Sequence, residues 1–89
     1  GLSGIKDGDE AIFRYVEWER SVNQVFISGT SSGNIYFFLD EEEEAKGLIV
    51  FEKGKIISSS FHGLLGKHQL RLKFDKVTCL EITELCFRG

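Results

Sequence analysis

The sequence has no proline and no methionine, and it holds only two cysteines and one tryptophan in 89 residues. Without proline, whose ring presets φ, the chain has to make its turns with Gly, Asn, Asp and Ser. Two cysteines close at most one bridge, which excludes a disulfide-stapled scaffold, and we read Cys79 and Cys86 as reduced thiols of a cytoplasmic protein. Long apolar runs are missing as well. A stretch such as residues 35–39 is far short of the roughly 20 residues that a helix needs to cross a bilayer, so no membrane span is expected. No basic-then-apolar leader precedes the first charged residues, and no targeting segment is expected either.

Also lacking is an excess of positive charge. The net charge is −3 and the pI about 5.3. Binding to a phosphate backbone draws its affinity from counterion release by clustered Lys and Arg, so nucleic acid is not expected as the main partner. The charge is unevenly distributed: residues 1–44 carry three basic and ten acidic side chains, whereas residues 45–89 carry eight basic and four acidic. Lys67, Arg71, Lys73 and Lys76, with His62 and His68 nearby, form the one local basic cluster, which reads first as a solvated strand face.

What is present is enough apolar material for a core: 42% apolar and 12% aromatic residues exclude intrinsic disorder, and the length fits a single domain. We expect residues 1–89 to form one small globular unit, with the Gly-rich residues 1–9 as a flexible leader. Asp7 and Glu10 have the spacing of a capping box, and Ile12, Tyr15, Val16, Val22, Val25 and Phe26 fall partly on a helical stripe. These features predict a helix over about residues 10–24, although Arg14, Val16 and Trp18 also alternate as a strand would. Strand signals dominate from there. Residues 25–28 precede a Gly/Ser-rich turn, and residues 35–39 are aromatic and branched. Residues 47–52 and 55–61 flank Lys53-Gly54, the form of a two-residue hairpin turn. Leu70, Leu72 and Phe74 alternate with Arg71, Lys73 and Asp75, and a last strand is expected over residues 78–87. Residues 35–39 and 48–51 are apolar on both faces and read as central strands, whereas residues 70–75 read as peripheral. The expected class is α+β, with one N-terminal helix packed on a mostly antiparallel sheet of five or six strands. The alternative is an all-β small barrel or sandwich.

Patterns suggestive of catalysis do not hold together. Gly29-Thr30-Ser31-Ser32-Gly33 matches the letters of a nucleophile elbow, but a strand follows it where that motif needs a helix. His62, His68, Cys79 and Cys86 are the ligand types of a zinc site, but the cysteines lie seven apart, which on one strand points them to opposite faces. Gly54-Lys55 lacks the rest of a phosphate-binding loop. No enzyme activity, cofactor or metal is therefore expected. Asp40, Glu41, Glu42, Glu43 and Glu44 are too uniform for acid and base roles, which need environments that push two pKa values apart, and they read as a solvated loop able to steer a basic partner.

Two segments, Thr30-Ser31-Ser32-Gly33-Asn34-Ile35-Tyr36-Phe37 and residues 47–58, reading GLIVFEKGKIIS, resemble the heart of PATAN-type (PatA N-terminal-like) domains. That family carries a TG-x-L strand and then a hairpin of the form G-x-I-x-F-x-x-G-x-I-V-x-A. The resemblance covers about a third of the chain. It departs at Ser58, where a small alanine is usual, and after Gly66, where the family would carry a helix. It implies a non-enzymatic adaptor of bacterial signalling. Independently of it, a two-sided apolar strand in so short a chain leaves one sheet face to be covered by something else. The expected function is a protein-interaction module, with Tyr36, Phe38, Phe51 and Phe61 as anchors and the residues of the 40–44 loop as steering groups. Two alternatives are a small anion- or nucleotide-binding domain using His62, Lys67, His68 and Arg71, and a homo-oligomeric structural subunit.

Overall fold

Alternation of side chains governs nearly all of this chain, and a computed structural model describes residues 2–20, 24–30, 32–77 and 80–88 of it. These residues form eight strands: β1 (Leu2–Ile5), β2 (Glu10–Trp18), β3 (Gln24–Thr30), β4 (Gly33–Leu39), β5 (Gly47–Glu52), β6 (Lys55–Phe61), β7 (Gly66–Asp75) and β8 (Leu80–Arg88). They pair into a five-stranded sheet of order β2-β7-β4-β5-β6 and a three-stranded sheet of order β1-β8-β3, antiparallel throughout. The two sheets share one core, to which β1 and β8 contribute Ile5 and Ile82. The fold is all-β, a sandwich of five strands over three.

The expected N-terminal helix is therefore absent, and with it the α+β class: among the described residues there is no helix, and none long and apolar enough to cross a membrane. Residues 10–18 form β2. The reason lies in one bulge. Phe13 pairs with Leu70 and Val16 with His68, so β2 carries one residue more than β7 across that interval, and Tyr15 takes a φ of 66° to absorb it. The bulge returns Val16 and Trp18 to the core side, on which Ala11 also packs. A strand with such a bulge spaces its inward residues by three, the interval that a helical stripe uses. Of the two residues at the capping-box spacing, Glu10 opens β2 and Asp7 joins Asp9 in holding the turn before it. The Lys76 N–H donates to Asp7 Oδ1 at 2.6 Å and the Lys6 N–H to Asp9 Oδ2 at 2.9 Å, so carboxylates tie down a turn between strands.

A second correction concerns β7. It lies between β2 and β4, inside the sheet, although its outward residues are polar. That outer sheet face is open to solvent, so Arg71 and Lys73 need no edge position to stay hydrated. The 47–61 hairpin forms as expected: Glu52 pairs with Lys55, and Lys53 (φ 50°) and Gly54 (φ 78°) both adopt the positive φ of a turn that matches strand twist. The Gly/Ser stretch does not form a separate turn: Gly29 and Thr30 end β3 and Gly33 opens β4. Its Ser31 lies outside the described residues, and Ser32 Oγ accepts the Lys53 N–H at 3.1 Å. Cys79 likewise lies outside them, while Cys86 is half-buried on β8.

The core consists of Ile35, Phe37 and Leu39 from β4, Ile49 and Phe51 from β5, Leu70, Leu72 and Phe74 from β7, and Leu64, Val77, Trp18, Ile5 and Ile82 around them. Phe37 is its centre. It meets Phe61 edge-on at 5.3 Å between ring centroids and Phe87 at 5.9 Å, and Phe87 in turn meets Trp18 at 5.3 Å. Such T-shaped contacts set the positive edge of one ring against the negative face of the next. Gly47 makes room for this arrangement, since a Cβ there would lie 2.9 Å from Phe61 Cε1 and closer still to Cδ1.

Phe37→Ala should lower stability by about 3–5 kcal/mol in urea unfolding, a large share of what a domain of this size possesses. Gly47→Ala, which pushes Phe61 off Phe37, should cost about 1–3 kcal/mol in the same measurement.

Candidate binding face

The register of the five-stranded sheet determines which residues share its outer face. Because Gly33, Ile35, Phe37 and Leu39 point inward, Asn34, Tyr36 and Phe38 point outward. Following the pairings across the strands gives a row of Glu10, Lys73, Tyr36, Leu48 and Ser60. Beside it run Ile12, Arg71 and Phe38, and on the other side Asp75, Asn34, Val50 and Ser58. Tyr36, Phe38, Leu48 and Val50, all half-buried, thus form an apolar stripe over β4 and β5, with cations on its β7 flank.

The stripe has defined surroundings. The Arg71 guanidinium carbon lies 4.7 Å from the centroid of the Phe38 ring, and Arg71 Nη2 donates to the Glu42 carbonyl at 3.3 Å. Its Nε is shielded from solvent and makes no hydrogen bond. Two shallow depressions of about 250 Å³ lie on either side of Tyr36. One is lined by Phe38, Lys73 and Asp75, the other by Lys46, Leu48, Ser60 and His62. The His62 N–H donates to the Lys46 carbonyl at 2.8 Å, and His62 Nε2 lies 3.1 Å from Ser60 Oγ. Among the described residues no carboxylate is bonded to that imidazole to orient it, and no three His, Cys, Asp or Glu side chains gather as a metal site requires.

Of the expected anchors, Tyr36 and Phe38 share this face. Phe51 does not: it is 2% exposed and faces the core, and Phe61 packs inward on Phe37. The loop carboxylates divide into two groups. Asp40 and Glu42 serve the structure, Asp40 through His68 and Glu42 through a 3.8 Å contact with Lys46 and its carbonyl bond to Arg71. Glu41, Glu43 and Glu44 are exposed. The cluster imagined as an anion site is dispersed over different neighbours. Lys67 lies 5.3 Å from the centroid of the Tyr15 ring, Arg71 covers Phe38, His62 contacts Ser60, and both nitrogens of His68 are engaged. Leu48 and Val50 belong to the face and were not singled out from the sequence, whereas Arg71 and Lys73, also on it, belong to the basic cluster that the sequence showed. Alternation counted from Tyr36 through the hairpin pairing would have found the first two.

His68 binds the end of β4 to β7. Its Nδ1–H donates to Asp40 Oδ2 at 2.7 Å and its Nε2–H to the Leu65 carbonyl at 2.7 Å. Two acceptors at two ring nitrogens demand the imidazolium, the only form with both protons. The bond to Asp40 raises the His68 pKa above the ordinary 6.5, and the bond from His68, with a further one from the Gln69 N–H, lowers that of Asp40 below 3.8.

No family model matches this chain, and no curated protein or solved structure gives a significant match.

A raised histidine pKa stabilises the fold fully below 6.5, and this contribution is lost as pH rises through the raised value. A lowered carboxyl pKa stabilises above 3.8, and that contribution is lost as pH falls through the lowered value. The contribution of the pair should therefore be greatest between these limits. The stability difference between the wild type and His68→Gln, followed by thermal unfolding, should shrink from pH 6 to pH 8.5. A His68 pKa measured by NMR at or below that of free histidine overturns the imidazolium assignment.

Proposed function

We propose that this protein is a non-enzymatic interaction module of the cytoplasm that binds another protein through the outer face of its five-stranded sheet. One observation carries the reading: Tyr36, Phe38, Leu48 and Val50 form a continuous apolar stripe in the middle of a sheet face on which the described residues lay no second layer. Aromatic side chains on a rigid central strand bind at low entropic cost, because few of their rotations remain to be lost. Shallow depressions beside Tyr36 suit the side chains of an extended or flat protein surface better than a deeply enclosed small molecule. Exposed Glu41, Glu43 and Glu44 at the border would speed encounter with a partner carrying basic residues and bias the choice among partners, with little effect on affinity. The reading agrees with the adaptor role that the PATAN-type resemblance implies and does not depend on it.

Affinity capture from the source organism tests this with four baits: wild type, Tyr36→Ala, Phe38→Ala and a Glu41→Gln, Glu43→Gln, Glu44→Gln variant. A specific partner should be lost with Tyr36→Ala or Phe38→Ala, an affinity drop of about tenfold or more for an anchor, while each bait keeps a cooperative unfolding transition. The triple variant should retain the partner and slow its association. Partners that bind both aromatic variants as well as the wild type would reject the face as the site.

A further inference from the structure

The five-stranded sheet ends at β2, and among the described residues no strand pairs with its outer edge, which ahead of the bulge lacks the usual lysine or proline guards. No lysine or proline lies between Glu10 and Arg14, and Ile12 and Phe13 are 53% and 37% exposed. The backbone direction can be read from the other side of the strand. The Phe74 N–H donates to the Asp9 carbonyl, so in an antiparallel ladder Asp9 and Ala11 turn their backbone groups to β7, while Glu10 and Ile12 turn theirs outward. The outward groups are thus the N–H and C=O of alternate residues, available as one half of a ladder.

We propose that two copies of this chain associate through this edge, β2 against β2 in antiparallel register about a two-fold axis at Ile12. The segment Glu10-Ala11-Ile12-Phe13-Arg14 is self-complementary about its centre. In that register Ile12 meets Ile12 with the outward-facing backbone groups of the two copies opposed, and Glu10 of each copy lies opposite Arg14 of the other. Ala11 meets Phe13, a small residue against a large one, on the core side, where Phe13 borders an apolar recess of about 190 Å³ with Val16, Leu70 and Phe87. Neighbouring registers do worse. Moving the axis to Phe13 sets Glu10 opposite Val16 and Ile12 opposite Arg14, and a half-step shift pairs outward backbone groups with inward ones. The bulge that takes in Arg14 and Tyr15 bends the strand and ends the pairing there, so association stops at a closed pair in place of an extended ribbon. The result is one continuous ten-stranded sheet that leaves Tyr36 and Phe38 uncovered. The inference goes beyond the docking reading, and either can fail without the other.

Sedimentation velocity over a micromolar concentration series tests it on four forms of the whole chain: wild type, Glu10→Arg, Arg14→Glu and the double swap. The wild type should dimerise. Each single substitution sets like charges opposite each other twice per dimer and should weaken association about tenfold or more, while the swap, which restores opposite charges, should recover it. Ile12→Asp, at an exposed position, should give a folded monomer by bringing two carboxylates together on the axis. A wild type that stays monomeric at about 100 μM overturns the proposal. So do single variants that dimerise like the wild type, or a double swap that stays as weak as the singles.

Discussion

Everything in this sandwich is arranged around one ring. Phe37 is fully buried at the centre of β4 and makes T-shaped contacts with two other phenylalanines, one from its own sheet and one from the opposite sheet. Trp18 extends the contact through Phe87, so four aromatic residues join β2, β4, β6 and β8. Placing Phe37 inward leaves its chain neighbours no choice, because successive side chains of a strand point to opposite faces. Tyr36 and Phe38 are on the outer face because Phe37 is in the core. The apolar stripe therefore stands on a strand whose inward residues are all buried, which holds its rings in place without a layer above them.

The uneven charge of the two halves has a structural counterpart. Acidic residues of the first half meet cationic or N–H groups of the second: Glu10 lies across from Lys73, Glu17 across from Lys67, Asp40 binds His68, Glu42 approaches Lys46, and Asp7 accepts the Lys76 N–H. Several of these pairs are exposed, and each contributes little alone. Together they favour the register that brings β2 and the 40–44 loop to β7 over its alternatives. Asp40 and Glu42 are thereby withdrawn from the run of like charges, which makes five adjacent carboxylates easier to accommodate.

Much of this was legible from the residues. The β5–β6 hairpin followed from turn chemistry, with Lys53-Gly54 between two apolar runs, and β4 followed from its aromatic and branched composition. The elements that were not legible share a cause: their meaning depends on pairing. The bulge at Tyr15 is invisible until β7 lies beside β2, yet it is this bulge that spaces the inward residues of β2 like those of a helix. The wet side of β7 suggested an edge because nothing in residues 70–75 shows that β2 continues the sheet beyond them. For the site, Tyr36 and Phe38 could be placed together from their spacing alone. Phe51 and Phe61 could not be oriented against them without the β5–β6 register, which shifts between Val50 and Phe51. His68 reads as a solvent-facing histidine until the end of β4 brings Asp40 within reach.

The order of pairing has a consequence for how the molecule is made. β4, β5 and β6 are consecutive and need only short connections, whereas β2 pairs with β7 and β1 with β8, strands separated by most of the chain. Contacts between distant segments carry the loop-closure cost before they return any stabilisation, which slows folding. During synthesis, which proceeds from the N-terminus, β1 and β2 emerge first and wait longest for their neighbours. Throughout that interval the Ile12 and Phe13 segment is unpaired on both edges, and its exposure then, more than in the finished fold, determines how readily the nascent chain meets other chains.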